Sequence, residues 1–229
     1  MSAAEPLVRC NGAARTYGRG PAATVALQPA DCEIWEGARV ALVGESGSGK
    51  STLVHLMAGL DDPTVGDVSW PGIGDRAALR PGPVAVVFQG PSLLPPLNVL
   101  ENVGLPLALA GRPQPEVRER ALAALSRLSL RELAEKLPEE ISGGQAQRVA
   151  VARAVVGEPR LILADEPTGQ LDHEIGAVVV DELLDAAKRC GAALVLATHD
   201  TEVADHLTER WRLRSGRLEK GSREEAWSL

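Results

Sequence analysis

The stretch Gly44-Glu45-Ser46-Gly47-Ser48-Gly49-Lys50-Ser51-Thr52 constrains this chain more than any other, because it joins a strand pattern to a helix pattern in one step. Upstream, Arg39 to Val43 is a short apolar run of the kind that becomes a buried strand; downstream, Ser51 to Leu60 reads as a helix. Glycines at 44, 47 and 49 let backbone N–H groups curl around anionic oxygens. Lys50 suits the β- and γ-phosphates of a nucleotide, and the Ser51 hydroxyl suits Mg²⁺. Strand, loop and helix in that order make a phosphate-binding loop, or P-loop, whose helix adds unpaired N–H groups and a positive dipole end. For this motif alone, the alternative is a flexible Gly/Ser-rich loop with a solvated lysine.

With 229 residues the chain can bury a full core, as one large domain or one core with an insertion. Its net charge of -7 argues against a general nucleic-acid binder, which needs a basic face to displace counterions. No apolar run is long enough to span a bilayer, and Met1 to Pro6 lacks the pattern of a signal peptide, so cytoplasmic residence is expected. Cys10, Cys32 and Cys190 are odd in number, lie far apart in sequence and form no C-x-x-C pair; they read as buried free thiols.

Leu7 to Cys10, then Val25 and Leu27, then Cys32 and Ile34, are strand-like pieces expected to pair antiparallel. Tyr17, the only tyrosine, sits in a Gly-flanked turn between them, where its ring either packs partly buried or stacks on a base. Asp61 to Trp70 reads as a turn into a short strand, and Val84 to Phe88 as an apolar strand with Gln89 at its end. Ligands of open α/β sheets bind beyond the C-terminal ends of the strands, so a carboxamide there could reach Mg²⁺ or a water near a terminal phosphate.

Residues 91–140 change character. Pro91 to Leu97 is an apolar loop stiffened by prolines, with Leu93, Leu94 and Leu97 as packing residues or a docking surface. Asn98 with Glu101, and Ser129 with Glu132, resemble capping boxes, and Glu116 to Leu128 is an amphipathic helix. Ser142-Gly143-Gly144-Gln145 opens a further helix, as a second anion site or as a serine N-cap with glycines for close packing. Leu161 to Ala164 is a strand ending in Asp165 and Glu166, a pair suited to orienting Mg²⁺ and polarising an attacking water. Pro167 to Asp172 turns into a helix closed by Gly191, and a last buried strand ends in His199. Residues 209–219 read as an edge hairpin turning at Ser215-Gly216, followed by a polar tail in which Trp227 is a candidate anchor.

The order of these motifs closely resembles the nucleotide-binding subunit of ATP-binding cassette (ABC) transporters, from about Leu7 to Glu219. Gly44 to Thr52 is similar to its Walker A loop, Gln89 to its Q-loop, Ser142 to Gln145 to its signature, Leu161 to Asp165 to its Walker B strand and His199 to its switch histidine. The resemblance implies an α/β fold: a P-loop NTPase core with a mostly parallel sheet, an N-terminal antiparallel β subdomain and an inserted α-helical subdomain. It implies one nucleotide-binding domain over 1–229, with 1–90 and 158–229 as the ATP-binding core and 91–157 as the helical part.

By the same resemblance the cofactors are ATP and Mg²⁺. Tyr17 stacks on adenine; Gly44, Glu45, Ser46, Gly47, Ser48, Gly49, Lys50, Ser51 and Thr52 cradle phosphates; Ser51, Gln89 and Asp165 serve the metal. Glu166 is the general base, assisted by His199 and Gln89. Ser142, Gly143, Gly144, Gln145 and Asp172 complete the site of a second copy of the chain. The implied partners are that second copy and an integral-membrane permease whose cytoplasmic coupling helix is received by Leu93 to Leu97 and the helix after them, with no nucleic acid. Leu94 to Val103 and Pro167 to Asp172 look like the branch of lipoprotein-releasing, macrolide-exporting and FtsE-like ATPases. Signalling through a membrane partner without transport, as FtsE-like proteins do, is therefore the alternative to driving a permease.

Overall fold

The computed structural model of the chain describes residues 4–222; Trp227 and most of the polar tail lie outside them. Strand β1 (Val8–Tyr17) pairs antiparallel with β2 (Thr24–Ile34) and with β4 (Val65–Ser69), so a three-stranded sheet forms with β1 in the middle. The N-terminal strands thus pair as expected but run longer than their apolar residues suggest. Pro29 is accommodated within β2 because β2 is an edge strand, where a missing N–H interrupts no central ladder.

The second sheet takes β5 (Val84–Val87), β6 (Leu161–Asp165), β7 (Ala193–Thr198), β3 (Arg39–Val43), β8 (Glu209–Arg214) and β9 (Arg217–Ser222), in that spatial order. The first five are parallel, and β9 returns antiparallel as the second strand of the expected edge hairpin. This mostly parallel sheet, beside the antiparallel N-terminal one, is the α/β architecture expected.

Alternation of side chains along the central strands sends residues to two hydrophobic clusters. Val40, Leu42, Leu161, Leu163 and Val195 meet α1 (Lys50–Met57) and the N-terminal sheet. Ala41, Ile162, Ala164, Leu194 and Leu196 join the opposite cluster with α2 (Val99–Leu109), α3 (Gln114–Arg127), α4 (Gly143–Val155) and α5 (His173–Cys190). Both faces being covered explains why these strands are continuous apolar runs. The helices of residues 91–157 share one apolar cluster with α5 and the sheet, so they have no separate core of their own.

One local expectation needs correction. Asn98 and Glu101 do form a capping box at the start of α2, but Ser129 and Glu132 do not. Ser129 takes a left-handed backbone (φ 53°) directly after α3, and Leu130 caps the short turn that follows. Cys10 and Cys32, distant in sequence, face one another across the β1–β2 ladder as buried thiols that no disulfide joins.

Candidate functional site

Parallel strands β3, β6 and β7 deliver their C-terminal ends to one side of the sheet, and the P-loop leaves from β3 at that side. Gly49 precedes α1 in a left-handed conformation (φ 105°), and no side chain caps the helix. The N–H groups of the first turn therefore face the loop without an intrahelical partner. Gly44 has no room for a side chain, since a Cβ there would collide with Leu213 O and approach Ser48 Oγ at 2.6 Å. The loop is thus pressed against β8, and Gly216 N donates to Ser48 O at 3.0 Å. Lys50 is buried, and its Nζ donates to Gly44 O (2.7 Å) and Glu45 O (3.0 Å), which folds its stem back beneath the loop.

Lys50 Nζ also lies 2.9 Å from Glu166 Oε1, while His199 Nδ1 lies 2.7 Å from Glu166 Oε2. Burial raises the tendency of this carboxyl to hold a proton, but the hydrogen bonds from Lys50 and with His199 outweigh it, and the group sits below its ordinary pKa. Glu166 directly follows β6 and has φ 45°, a left-handed conformation that costs an ordinary side chain of the order of 1 kcal/mol or more. It is held there by Glu166 N donating to Ala197 O (2.9 Å) and Gly169 N donating to Glu166 O (3.1 Å). A Cβ on Gly169 would come within 3.1 Å of Gln89 Nε2 and 3.5 Å of Glu166 Oε2, so the missing side chain leaves space for both groups.

Asp165 behaves oppositely. It is buried, Ser51 Oγ donates to its Oδ1 at 3.0 Å, and burial lifts its pKa above the usual aspartate value against the pull of Ser51, His55 and Lys50. A hydroxyl and a carboxylate this close are hard oxygen donors suited to Mg²⁺, which takes few protein ligands and completes its shell with water and phosphate.

A cavity of about 1290 Å³ is lined by Gly44 to Thr52, Gln89, Glu166 and His199, bringing together residues from four separate parts of the sequence. Gln89 lies just past β5, where Gln147 Nε2 of α4 donates to Phe88 O (2.9 Å) and Arg153 donates to Ser92 O (2.9 Å) and Pro91 O (3.2 Å). Tyr17, Ser142 to Gln145 and Asp172 do not line this cavity. Ser142 is the N-cap of α4, accepting from Gln145 N (3.2 Å) as Gln145 Oε1 accepts from Ser142 N (2.9 Å). Gly144 is packed so closely on α5 that a Cβ would meet Ile175 at 2.9 Å, and Asp172 caps α5 through Ile175 N (2.9 Å).

Several cavity residues carried no signal in the sequence. Arg212, Arg214 and Ser215 reach it from β8 and its turn, Ala26 from β2 and Thr201 from α6 (Thr201–Asp205). The participation of Arg212, Arg214 and Ser215 depends on β8 lying beside β3, which only sheet order reveals. His55, outside the cavity lining, likewise gave no sequence signal; its Nε2 lies 3.8 Å from Asp165 Oδ2 and its ring is edge-on to Phe88.

Comparison with known proteins agrees with this geometry. Residues 27–169 match the ABC transporter family. The lipoprotein-releasing system ATP-binding protein LolD of Pseudomonas fluorescens Pf-5 is 40% identical over 219 residues, covering 93% of this chain and 96% of the relative. The dimeric post-hydrolysis structure of the ATP-binding cassette MJ0796 with ADP and Pi superposes with a TM-score of 0.84 at 37% identity, covering 93% of this chain and 98% of that one. The cbiO1 protein of Clostridium perfringens, part of the cbiONQ ABC transporter complex, gives a TM-score of 0.81 at 28% identity, covering 95% and 89%. The chain is an ATP-binding cassette ATPase and belongs to the ABC transporter family.

Proposed function

We propose that two copies of this ATPase close around two ATP molecules and that their closing and reopening drives a separate integral-membrane permease. The observation that carries the catalytic part is Glu166, held between Lys50 and His199 within the P-loop cavity. Residues Gly44 to Thr52 bind the phosphates through backbone N–H groups and Lys50. Phosphate oxygens compete with Glu166 for the Lys50 ammonium, which frees the carboxylate to accept a proton from the attacking water. His199 then keeps Glu166 aimed, and Gln89, which shares with Glu166 the space left by Gly169, orients the water. Ser51 and Asp165, with Gln89 lining the same cavity as Ser51, would hold Mg²⁺, which would supply positive charge against the terminal phosphates. Tyr17 serves as a platform for the base.

Ser142 to Gln145 and Asp172 stand apart from the cavity of their own chain, as Tyr17 does, and would act on the ATP of the other copy. The dimeric form of the MJ0796 cassette supports a paired arrangement. Residues 1–229 would then work as one nucleotide-binding domain in which 91–157 carries the trans-acting signature. The permease would dock at Leu93 to Leu97, where Leu94 is 44% exposed. No helix among the described residues is long and apolar enough to cross a membrane, so attachment to the inner face of the membrane would come through that partner. The matches do not favour the signalling alternative.

Glu166→Gln tests the assignment. ATP turnover should fall at least about 100-fold, while ATP binding persists and ATP shifts the chain toward a dimer in size-exclusion chromatography. An unchanged steady-state rate would overturn the role given to Glu166.

A further inference from the structure

Tyr17 is the last residue of β1 and is 41% exposed. An aromatic side chain at a strand end ordinarily samples several rotamers, and ordering it on binding costs free energy. Here three contacts remove that freedom. Arg15, two residues earlier and so on the same side of the strand, places its guanidinium 4.7 Å from the ring centroid. Tyr17 OH donates to Asp61 Oδ2 at 2.9 Å, and Arg15 Nη2 pairs with Asp61 Oδ1 at 2.7 Å, which closes the triangle.

The anchor of this triangle belongs to the phosphate-binding element. Asp61 follows α1, the P-loop helix, through the turn at Gly59, and Asp62 N caps Asp61 Oδ1 at 2.8 Å. The next residues sew the same turn to β1: Thr64 N donates to Ala14 O (2.7 Å) and Thr16 N donates to Thr64 Oγ1 (3.0 Å). The position of the Tyr17 ring is therefore referenced to the helix that begins at Lys50.

We propose that Arg15 and Asp61 are positioning residues for the base of ATP, holding the Tyr17 ring as a preformed platform with one face covered by Arg15 and the other turned to adenine. The cation on one face draws on the ring's negative quadrupole and leaves the other face better suited to an electron-rich purine. Asp61 keeps both partners in place and neutralises the guanidinium, so no net positive charge is presented to the base. This rests on the reading of Tyr17 as the base platform and extends it to the residues that make the platform rigid.

The test compares ATP with inorganic tripolyphosphate, which has the phosphates and no base, in the purified full chain. Arg15→Gln should raise KM for ATP roughly three- to fivefold, leave kcat within about twofold because the base is remote from the reaction, and leave inhibition by tripolyphosphate unchanged. Arg15→Lys, which keeps a cation over the ring, should recover part of the loss. Tyr17→Ala should raise KM for ATP at least as much as Arg15→Gln. If Tyr17→Ala raises KM and Arg15→Gln does not, the positioning role is wrong and the platform stands. If Tyr17→Ala has no effect, the platform reading itself fails. A parallel loss of tripolyphosphate binding in Arg15→Gln would show a general structural defect and overturn the proposal.

Discussion

Lys50 Nζ and Glu166 Oε1 meet at 2.9 Å although their strands, β3 and β6, are not neighbours: β7 runs between them. The contact spans that gap because Lys50 starts a helix whose loop turns back over the strand ends, and because Glu166 leaves β6 in a left-handed step. His199, leaving β7, meets the second carboxylate oxygen. The ends of β3 and β7 thus together grip the carboxylate that leaves β6. His199→Ala removes one of the two grips while leaving the phosphate cradle intact. ATP turnover should fall about 10- to 100-fold with ATP affinity changed less than about threefold, as expected for loss of an interaction that matters mainly in the transition state; steady-state kinetics and equilibrium ATP titration measure the two quantities separately.

Gly49→Ala should abolish nucleotide binding. The residue has φ 105°, and an added Cβ would strike Ala26 O, part of the β2 backbone that cannot yield as a flexible side chain could. Backbone strain of this kind costs about 1–3 kcal/mol before the collision is counted, so the loop should leave its phosphate-binding shape. Binding of a fluorescent ATP analogue, alongside urea unfolding, separates loss of the loop from loss of the fold.

Asp61 provides a pH signature. Burial alone would raise its pKa, but hydrogen bonds from Asp62 N and Tyr17 OH and the charge of Arg15 hold it below the usual aspartate value. A depressed folded-state pKa contributes stability that is present above the unfolded value, about 3.9, and is lost as pH falls through the lower folded value. Asp61→Asn should therefore melt at a lower temperature than the parent chain at pH 7, and the difference should narrow below about pH 4. Thermal unfolding followed by circular dichroism across that range measures it; a difference that stays constant would exclude the ionised carboxylate as its source.

Asn102 is fully buried in α2 and organises the loop before it: its Oδ1 accepts from Leu94 N (2.8 Å), and its Nδ2 donates to Leu97 O (2.8 Å), Leu94 O (3.1 Å) and Asn98 O (3.1 Å). Asn102→Ala removes the side-chain partner of Leu94 N and Leu97 O, whereas Leu94 O keeps Leu97 N and Asn98 O keeps Asn102 N; the loss should cost about 1–3 kcal/mol. The isolated chain should keep ATP turnover within about twofold, since Asn102 is remote from the P-loop cavity, and a chemical denaturation midpoint should report the lost stability. Stimulation of turnover by the reconstituted permease should drop, because Leu94 would no longer be presented in one conformation.

What the chain's own order of residues determined was local. The P-loop between β3 and α1, the capping boxes at Asn98 and Ser142, and the left-handed Gly191 closing α5 depend on contacts within a few residues, so their spelling can be read directly. Even at that range, Ser129 and Glu132 match a capping box in letters while the backbone after α3 turns left-handed and denies it. Tertiary structure alone decided which distant groups meet. The order β5-β6-β7-β3-β8-β9 brings Glu166, His199 and Lys50 together and sets Arg212 beside the P-loop, and pairing of β1 with β2 and β4 opposes Cys10 to Cys32 and carries Tyr17 to Asp61. Apolar runs such as Leu161 to Ala164 specify burial on both faces but not the neighbouring strand, because the hydrophobic effect that buries them has no direction; the covering helices and ladder register supply it.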